Sequence, residues 1–421
     1  MSQEKQIYFP SIDSVKAAAE TIKKVSSVTP LNQSLRISKQ FDANIWLKRE
    51  DLQQVRSYKI RGAYNKISSL SSEQSKNGVV CASAGNHAQG VALSCKLLKI
   101  HGTIFMPAPT PNQKVEQVKM FGEDFIEIKL VGDTYDDAYH AAMLECEDLE
   151  KTFIHPFNDQ KVIEGQATIG LEILEQSEIP IDYVFIAIGG GGLASGLSTV
   201  FKALSPNTKI IGVEPKGAPS MKTSIANNKN TELETIDKFI DGAAVKRVGD
   251  LNFAICKENL DDIILVPEGK VCETILELYN KDAIVVEPAG ALSISALDFY
   301  AKDIKGKNVV CVVSGSNNDI TRTPEIKERA LLYANLKHYF IINFPQRAGA
   351  LKEFVVDILG ENDDITYFQY AKKTNRENGS AVVGVQLKSA SDLEPLISKM
   401  KQHNFFGDYL NDKPDLFQFL V

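Results

Sequence analysis

The sequence lacks the signatures of several large protein classes. Its six cysteines are scattered without a C-x-x-C pair, and its six histidines form no H-E-x-x-H motif. A disulfide framework and a transition-metal site are therefore not expected. The net charge is −7, which argues against binding to a nucleic-acid backbone. There is no apolar run of membrane-spanning length and no evident secretory signal. We expect a cytoplasmic protein that binds neither membranes nor nucleic acids.

The composition is that of a globular protein with more than one domain. The chain has 421 residues, of which 43% are hydrophobic and 24% charged. From residue 40 to residue 320, short apolar strands alternate with helical segments, as in Val79–Cys81, His101–Met106 and Phe125–Ile128. This alternation predicts parallel strands joined by right-handed crossovers. We therefore expect an open α/β fold with a parallel sheet and two lobes, the smaller at roughly residues 55–150.

The pattern changes after Thr321. A charged helix is predicted over 324–337 as a linker between a first domain at 1–323 and a second at 338–421. The second domain has a strand, helix, strand, strand, helix, strand pattern, which is typical of an α+β ferredoxin-like (βαββαβ) unit. In its first helix, 348–359, we expect Leu351, Phe354, Val355 and Ile358 to share the buried face.

Lys59 is the first candidate for chemistry. It lies in Ser-Tyr-Lys-Ile-Arg-Gly, between an aromatic residue and Ile60, with Arg61 two positions later. Apolar neighbours and a nearby cation both favour the neutral amine, which is the form that condenses with a carbonyl group. The hexapeptide alone fits a surface lysine at least as well, so the assignment depends on the rest of the chain.

The segment Ser83-Ala84-Gly85-Asn86-His87 follows a predicted parallel strand and opens a helix. Open α/β sheets bind ligands at the carboxyl ends of their strands. The free N–H groups of a helix N-terminus favour a carboxylate. Ser83 and Asn86 add side-chain donors, although helix capping explains either residue alone.

A run of four glycines, Gly189, Gly190, Gly191 and Gly192, precedes Leu193 between an apolar strand and a helix. Consecutive glycines let backbone N–H groups converge on an anion, so we expect a phosphate site. Gly189, Gly191 and Ala194 also fit a loose dinucleotide pattern, with Glu214 placed as a ribose partner. An NAD-dependent oxidoreductase therefore remains a rival.

A third polar segment, Ser314-Gly315-Ser316-Asn317-Asn318, follows the last buried strand. The Ser314 hydroxyl could bond to a heteroaromatic nitrogen or simply close a turn.

Together these four motifs resemble the threonine dehydratase family of pyridoxal-phosphate (PLP) enzymes, which have the tryptophan-synthase-β (type II) fold. The resemblance covers nearly the whole chain. It implies that Lys59 carries the cofactor, that Asn86 meets its phenolic oxygen, and that Ser314 meets its pyridine nitrogen. It also implies that Gly189–Leu193 cradle the phosphate and that Ser83–His87 hold the substrate carboxylate. The reaction implied is β-elimination and deamination of threonine to 2-oxobutanoate and ammonia, with Lys59 as the base.

Serine racemases of this fold are similar but carry a serine where this chain has Ala84, and racemisation needs that second acid. Their cation site is only partly matched, because Glu214 and Ala218 fit but Ser220 replaces an acidic residue. We therefore expect a dehydratase with no functional metal. A serine dehydratase or racemase remains an alternative, and diaminopropionate lyase and threonine synthase fit less well.

The C-terminal unit resembles the ACT-like regulatory domain of biosynthetic threonine dehydratases. The effector residues that this implies are Pro345, Arg347, Gly349 and Leu351, at the end of the first strand and the start of the first helix. The resemblance implies isoleucine inhibition, relief by valine and a place in isoleucine biosynthesis. A role in oligomerisation alone, or a non-catalytic amino-acid sensor, would also use such a domain. We expect a homodimer or homotetramer, because a ferredoxin-like sheet has an edge to pair.

Overall fold

The computed structural model describes residues 8–370 and 378–413, and it divides into two compact units between Asp319 and Ile320. None of the described helices is long and apolar enough to cross a membrane. The α-helices are α1 (Ile12–Ile22), α2 (Leu35–Phe41), α3 (Lys59–Ser68), α4 (Ser72–Asn77), α5 (Asn86–Leu98), α6 (Asn112–Gly122), α7 (Tyr135–Asp148), α8 (Gln160–Gln176), α9 (Gly192–Leu204), α10 (Ser220–Ala226), α11 (Asp250–Asn259), α12 (Glu268–Asp282), α13 (Pro288–Ser295), α14 (Thr323–Tyr333), α15 (Ala350–Glu353) and α16 (Leu393–Gln402).

The strands are β1 (Leu31–Gln33), β2 (Asn44–Arg49), β3 (Val79–Ala82), β4 (Gly102–Met106), β5 (Ile126–Leu130), β6 (Thr152–Phe153), β7 (Tyr183–Ala187), β8 (Lys209–Pro215), β9 (Asp262–Val266), β10 (Asn308–Val313), β11 (Lys337–Pro345), β12 (Asp364–Tyr370), β13 (Asn378–Gln386) and β14 (Phe406–Tyr409). They form one six-stranded sheet and two four-stranded sheets.

The first unit has two lobes, as predicted. The larger lobe contains the six-stranded sheet in the order β1-β2-β10-β7-β8-β9, which is parallel apart from β1. The smaller lobe contains the parallel sheet β5-β4-β3-β6. Strands β3, β4 and β7 are buried along their whole length, because helices cover both faces of such sheets. Helix α3 lies between the lobes and packs on α5 and α8.

The second unit has the predicted βαββαβ order, and its antiparallel sheet runs β12-β13-β11-β14. Its core is a cluster of buried apolar residues that includes Phe340, Phe354 and Phe405. The fold class predicted from the sequence is therefore confirmed in both units.

Two local predictions differ from the structure. The helix expected over 324–337 ends at Tyr333, because Asn335 has a φ of 54° and turns the chain into β11. The helix expected over 348–359 begins as α15 but continues as a π-helix over Phe354–Ile358. The wider π turn buries Phe354 and Ile358 and leaves Leu351 and Val355 about half exposed, so these four residues do not share one face.

Candidate active site

Lys59 lies at the first position of α3, between the two lobes. Its Nζ donates a hydrogen bond to the carbonyl oxygen of Pro156 at 2.9 Å and lies 5.3 Å from the centre of the Tyr58 ring. Burial of the amine lowers the pKa of Lys59 to about 8, against a smaller opposing effect from the carboxylate of Glu287. About one amine in ten is then neutral at pH 7, which favours a nucleophile or base over a surface cation.

The sequence-based argument that Arg61 lowers the pKa of Lys59 is wrong. The Arg61 guanidinium is fully buried and forms ion pairs with Glu50 at 2.8 Å and with Glu172 at 2.6 Å. Lys48 pairs with the same Glu172, so two cations and two carboxylates neutralise one another. The guanidinium of Arg61 therefore anchors α3 to Glu50, which directly follows β2, and to α8. The low pKa of Lys59 comes from burial instead.

The glycine run links β7 to the N-terminus of α9. A methyl group at Gly190 would lie 2.2 Å from the Phe157 ring, and one at Gly189 would lie 3.0 Å from the backbone of Ala243. Gly191 has a φ of 95°, which L side chains rarely adopt. The run thus allows close backbone approach at the start of a thirteen-residue helix, where unpaired N–H groups attract an anion.

The loop containing Phe157 is fixed by His155, whose Nδ1 accepts hydrogen bonds from the backbone N–H groups of Phe157 and Asn158 at 3.2 and 2.9 Å. An accepting Nδ1 carries no proton, so this ring must be neutral. Burial, helped by the nearby Lys59, lowers the pKa of His155 to about 4. The loop is therefore held in place at neutral pH.

The predicted carboxylate segment joins β3 to α5 at the face of the smaller lobe. Ser83 Oγ accepts from the N–H of Gly85 at 3.3 Å, and a methyl group at Gly85 would meet nothing within 4 Å. The Nε2 of the His87 ring is not available to an anion, because it forms a hydrogen bond with the carbonyl oxygen of Ile154 at 2.7 Å. Burial lowers the pKa of His87 to about 3. What His87 can offer an anion is therefore its backbone N–H.

Asn86 and Ser314 approach Lys59 from opposite lobes. The Asn86 amide donates to Glu287 Oε1 at 2.6 Å and accepts from the Asn317 amide. The carbonyl of Ser314 accepts from the N–H of Tyr58 at 3.2 Å, and Ser57 pairs with Gly315 across an isolated bridge. The structure thus brings the segments of Lys59, Asn86 and Ser314 together between the lobes, and Phe157 packs against the glycine run.

Glu287 was not predicted from the sequence. It is 7% exposed and directly precedes α13, and it lies against Gly315, where a methyl group would be 2.4 Å from its Oε1. Burial, together with the nearby Asp241 carboxylate, raises the pKa of Glu287 to about 7. An acidic residue just before a fully apolar Pro-Ala-Gly-Ala helix was the only sequence signal. Asn86, its partner, lies 201 positions away.

The residues fit the cofactor that the sequence motifs imply. The amine has a lowered pKa, and the glycine run opens a thirteen-residue helix whose first N–H groups can bind an anion such as a phosphate. The buried hydroxyl of Ser57 and the buried Oδ1 atoms of Asn317 and Asn318 have no protein partner among the described residues. Buried polar groups without a partner are rare and often mark a ligand site.

A metal site has less support. The described residues contain no group of three or more His, Cys, Asp or Glu side chains arranged to hold a metal ion. Both oxygens of Glu214 accept backbone N–H groups, from Met221 at 2.7 Å and Lys222 at 2.9 Å. The Ser220 hydroxyl donates to the carbonyl of Val245. Glu214 is therefore used to cap a short helix.

The predicted effector residues lie at the start of the regulatory helix. Pro345 ends β11, and Gly349 has a φ of 87° immediately before α15. Arg347 forms an ion pair with Glu353, and His403 lies 3.4 Å from the same carboxylate. Leu351 is 49% exposed. A cation and an exposed apolar side chain thus flank a turn that needs glycine.

Comparison with known proteins gave matches along almost the whole chain. Residues 22–315 match the family model of pyridoxal-phosphate dependent enzymes, and residues 328–420 match the C-terminal regulatory domain of threonine dehydratase. The biosynthetic L-threonine dehydratase IlvA of Halalkalibacterium halodurans is 54% identical over 97% of this chain and 99% of its own. The enzyme of the same name from Bacillus subtilis is 55% identical over 96% of each chain.

A solved structure is also similar. The processed form of threonine deaminase isoform 2 from Solanum lycopersicum is 39% identical, with a TM-score of 0.72. The match covers 78% of this chain and 91% of the tomato chain.

Proposed function

This chain belongs to the pyridoxal-phosphate dependent enzymes and, within them, to the biosynthetic threonine dehydratases; on that premise we propose how its residues convert L-threonine to 2-oxobutanoate and ammonia. The observation that carries the proposal is that the segments of Lys59, Asn86 and Ser314 meet between the lobes, next to the glycine run. The enzyme is thus a carbon–nitrogen lyase.

Four groups of residues would hold the cofactor: the Nζ of Lys59, the amide of Asn86 at the phenolic oxygen, the hydroxyl of Ser314 at the ring nitrogen, and the backbone of Gly189–Leu193 at the phosphate. When bound, pyridoxal phosphate supplies an electron sink for the bond that breaks at the substrate α-carbon. The Asn86 amide has two hydrogens, of which one goes to Glu287, so the second is available for the cofactor.

The chain's own residues then orient threonine and move its protons. The N–H groups at the start of α5 bind the carboxylate, with Ser83 beside them. Lys59 takes the proton from the α-carbon, because about half of its buried amine is neutral at a pH near its pKa of about 8. Loss of this proton and of the β-hydroxyl, which leaves as water, gives an enamine. Hydrolysis takes up one water and releases 2-oxobutanoate and ammonia.

Two rival activities fit the residues less well. Ala84 has no hydroxyl, so the opposite face of the α-carbon lacks the acid that a racemase needs at that position. An NAD-dependent oxidoreductase would need Glu214 to bind a ribose, and both oxygens of Glu214 are occupied by backbone N–H groups. We therefore place elimination ahead of racemisation and of hydride transfer.

The regulatory domain binds a small-molecule effector, and we propose that the effector is isoleucine, with valine as a competing ligand. A free amino acid has a carboxylate for Arg347 or the first N–H groups after Gly349, and an aliphatic side chain for Leu351. Feedback by isoleucine would place the enzyme at the entry to isoleucine synthesis in the cytoplasm. We also propose that the protein is a homodimer or homotetramer. Light scattering would measure the mass of the assembly and so the number of subunits.

The proposal is tested with purified full-length protein and two amino acids. The protein is expected to show the visible absorption of bound pyridoxal phosphate and to form 2-oxobutanoate from threonine. Lys59→Ala is expected to lose both the absorption band and the activity. A colourless Lys59→Ala variant with full activity would show that the assignment is wrong. Serine is the second substrate, and the ratio of the two kcat/KM values gives the preference.

A further inference from the structure

An ion pair connects the two lobes of the catalytic unit outside the active site. Lys114 on α6 of the smaller lobe lies 3.0 Å from the Oδ2 of Asp241, which is 127 positions later in the larger lobe. Their side chains are 27% and 49% exposed. The pair is therefore partly accessible to solvent.

The position of Asp241 is tied to the phosphate cradle. The next two residues, Gly242 and Ala243, lie against Gly189, where a methyl group would be 3.0 Å from both. The N–H of Ala243 donates to the carbonyl of Ile240, and Ile240 and Ala243 are buried. Asp241 is thus presented by a fixed part of the larger lobe, and the pair with Lys114 constrains α6.

A second contact crosses the same cleft on its inner side. Asn86 at the start of α5 donates to Glu287 at the start of α13, at 2.6 Å. Helix α6 packs directly on α5, so a movement of α6 away from Asp241 would also draw Asn86 away from Glu287. The outer ion pair and the inner hydrogen bond would therefore break together if the lobes moved apart.

We propose that Lys114 and Asp241 are positioning residues that form an ionic clasp across the substrate cleft, holding α6 to the larger lobe and keeping Asn86 within reach of Glu287. The proposal rests on the assignment of the cleft between the lobes as the threonine site. The clasp contributes to substrate binding because the proposed carboxylate site at the start of α5 and the proposed phosphate site at the start of α9 lie on different lobes. Neither residue touches the substrate.

Charge reversal of each partner, singly and together, tests the clasp in the holoenzyme. Lys114→Glu and Asp241→Lys are each expected to raise the KM for threonine about two- to five-fold, the range for a partly exposed ion pair. The expected change in kcat is smaller than the change in KM. The double variant restores an ion pair of opposite orientation and is expected to return KM towards the wild-type value.

The chain offers a matched control. Lys202 and Asp261 also lie 3.0 Å apart, are 32% and 37% exposed, and both belong to the larger lobe. Lys202→Glu therefore breaks a pair of similar geometry without releasing the smaller lobe. Its KM for threonine is expected to match the wild type. If the charge-reversal variants do not fold, the KM for threonine is measured in Lys114→Met and Asp241→Asn instead.

Hydrogen exchange gives a readout that does not depend on turnover. In the substrate-free holoenzyme, the amides of α5 and α6 are expected to exchange faster in both single variants than in the wild type or the double variant. The proposal would be overturned if the single variants had the same KM for threonine and the same amide exchange rates as Lys202→Glu. It would also be overturned if the double variant had a KM as high as those of the single variants. Faster exchange without threonine turnover in any protein would support the clasp and reject the substrate assignment.

Discussion

At the scale of single residues, the chemistry depends on the pKa values of two buried ionisable groups. Lys59 is a cation whose pKa burial lowers to about 8, and Glu287 is a carboxyl whose pKa burial raises to about 7. The carboxylate of Glu287 favours the protonated form of Lys59, which partly offsets burial. Lys114 and Asp241 also influence the pKa of Glu287, and Tyr58, directly before α3, lies near its carboxylate. The site thus tunes its base through a group that holds Asn86.

Glu287→Gln tests this coupling. Removing the negative charge takes away the interaction that raises the pKa of Lys59, so the pKa of the base falls. The limb on which kcat rises with pH is therefore expected to move to lower pH in the variant. Steady-state kcat from pH 6 to pH 9.5 measures it.

The control is Glu164→Gln, which removes a carboxylate that is 5% exposed and bonds to Tyr8 and Lys161 rather than facing Lys59. In this control, the pH range over which kcat rises is expected to be the same as in the wild type. If kcat of Glu287→Gln rises over the same pH range as kcat of the wild type, the proposed coupling between Glu287 and the pKa of Lys59 is contradicted.

Single-residue predictions can be made from the sequence where the information is local. Asn86 and the glycine run could be proposed because each lies in a short motif between a strand and a helix. Arg61 was misjudged because its sequence distance from Lys59 is short while its guanidinium is bonded to Glu50 and Glu172. No local signal pairs Glu287 with Asn86 across 201 residues.

At the scale of elements, the site consists of loops at the ends of strands. These loops differ in how closely they pack against their neighbours. Gly190 and Gly192 must lack side chains because Phe157 fills the space next to both of them. Gly85, in the predicted carboxylate segment, faces open space instead. The two loops therefore differ in how they respond to the same added methyl group.

Gly190→Ala is expected to lower cofactor affinity by at least about ten-fold, because its methyl group would overlap the Phe157 ring and displace the cradle. Gly85→Ala is the steric control and is expected to retain the cofactor while raising the KM for threonine. Absorbance titration of the two apo variants with pyridoxal phosphate measures the difference. Equal affinities would mean that Gly189–Leu193 are not the cradle.

The loop at His155 gives a prediction on stability and pH. Unfolded histidine binds a proton near pH 6.5, whereas folded His155 does so only at about pH 4. Its contribution to stability is therefore full above pH 6.5 and is lost as the pH falls towards 4. The drop in Tm between pH 7 and pH 5 is expected to be smaller in His155→Asn than in the wild type.

The exposed His140 provides the comparison for that experiment. His140→Asn is expected to show the wild-type drop in Tm. If His155→Asn shows the same drop, the neutral ring does not stabilise the loop in the way its hydrogen bonds indicate.

The elements themselves were largely predictable because apolar strands and helices alternate regularly between residues 40 and 320. The strand ends followed from the same pattern, and with them three of the loops of the site. The role of Phe157 was not predictable, because it depends on a turn fixed by His155 and on the missing side chain of a distant glycine. The π-helix over Phe354–Ile358 likewise has no periodic signature that distinguishes it from an α-helix.

At the scale of the whole molecule, the chain combines a catalytic unit with a regulatory unit that has its own core. The order of strands and helices predicted both from the sequence. The number of subunits was not predictable, because edge strands show that a partner is possible without specifying its symmetry.

Gly349→Ala tests the regulatory assignment. At a φ of 87° the added methyl group strains the turn before α15 by about 1 kcal/mol, so the isoleucine concentration for half-inhibition is expected to rise several-fold while kcat stays the same. Gly306→Ala is the matched control, because Gly306 has a φ of 71° and also open space around it, but lies in the catalytic unit. An unchanged isoleucine response in Gly349→Ala would remove this turn from the effector site.

The most direct test of the central claim identifies the lysine that holds the cofactor. The holoenzyme is reduced with borohydride, digested and mapped by mass spectrometry, with threonine turnover measured before and after reduction. The account predicts a phosphopyridoxyl group on Lys59 and loss of 2-oxobutanoate formation in proportion to its labelling. Labelling of a different lysine, or full activity after Lys59 is labelled, would contradict it.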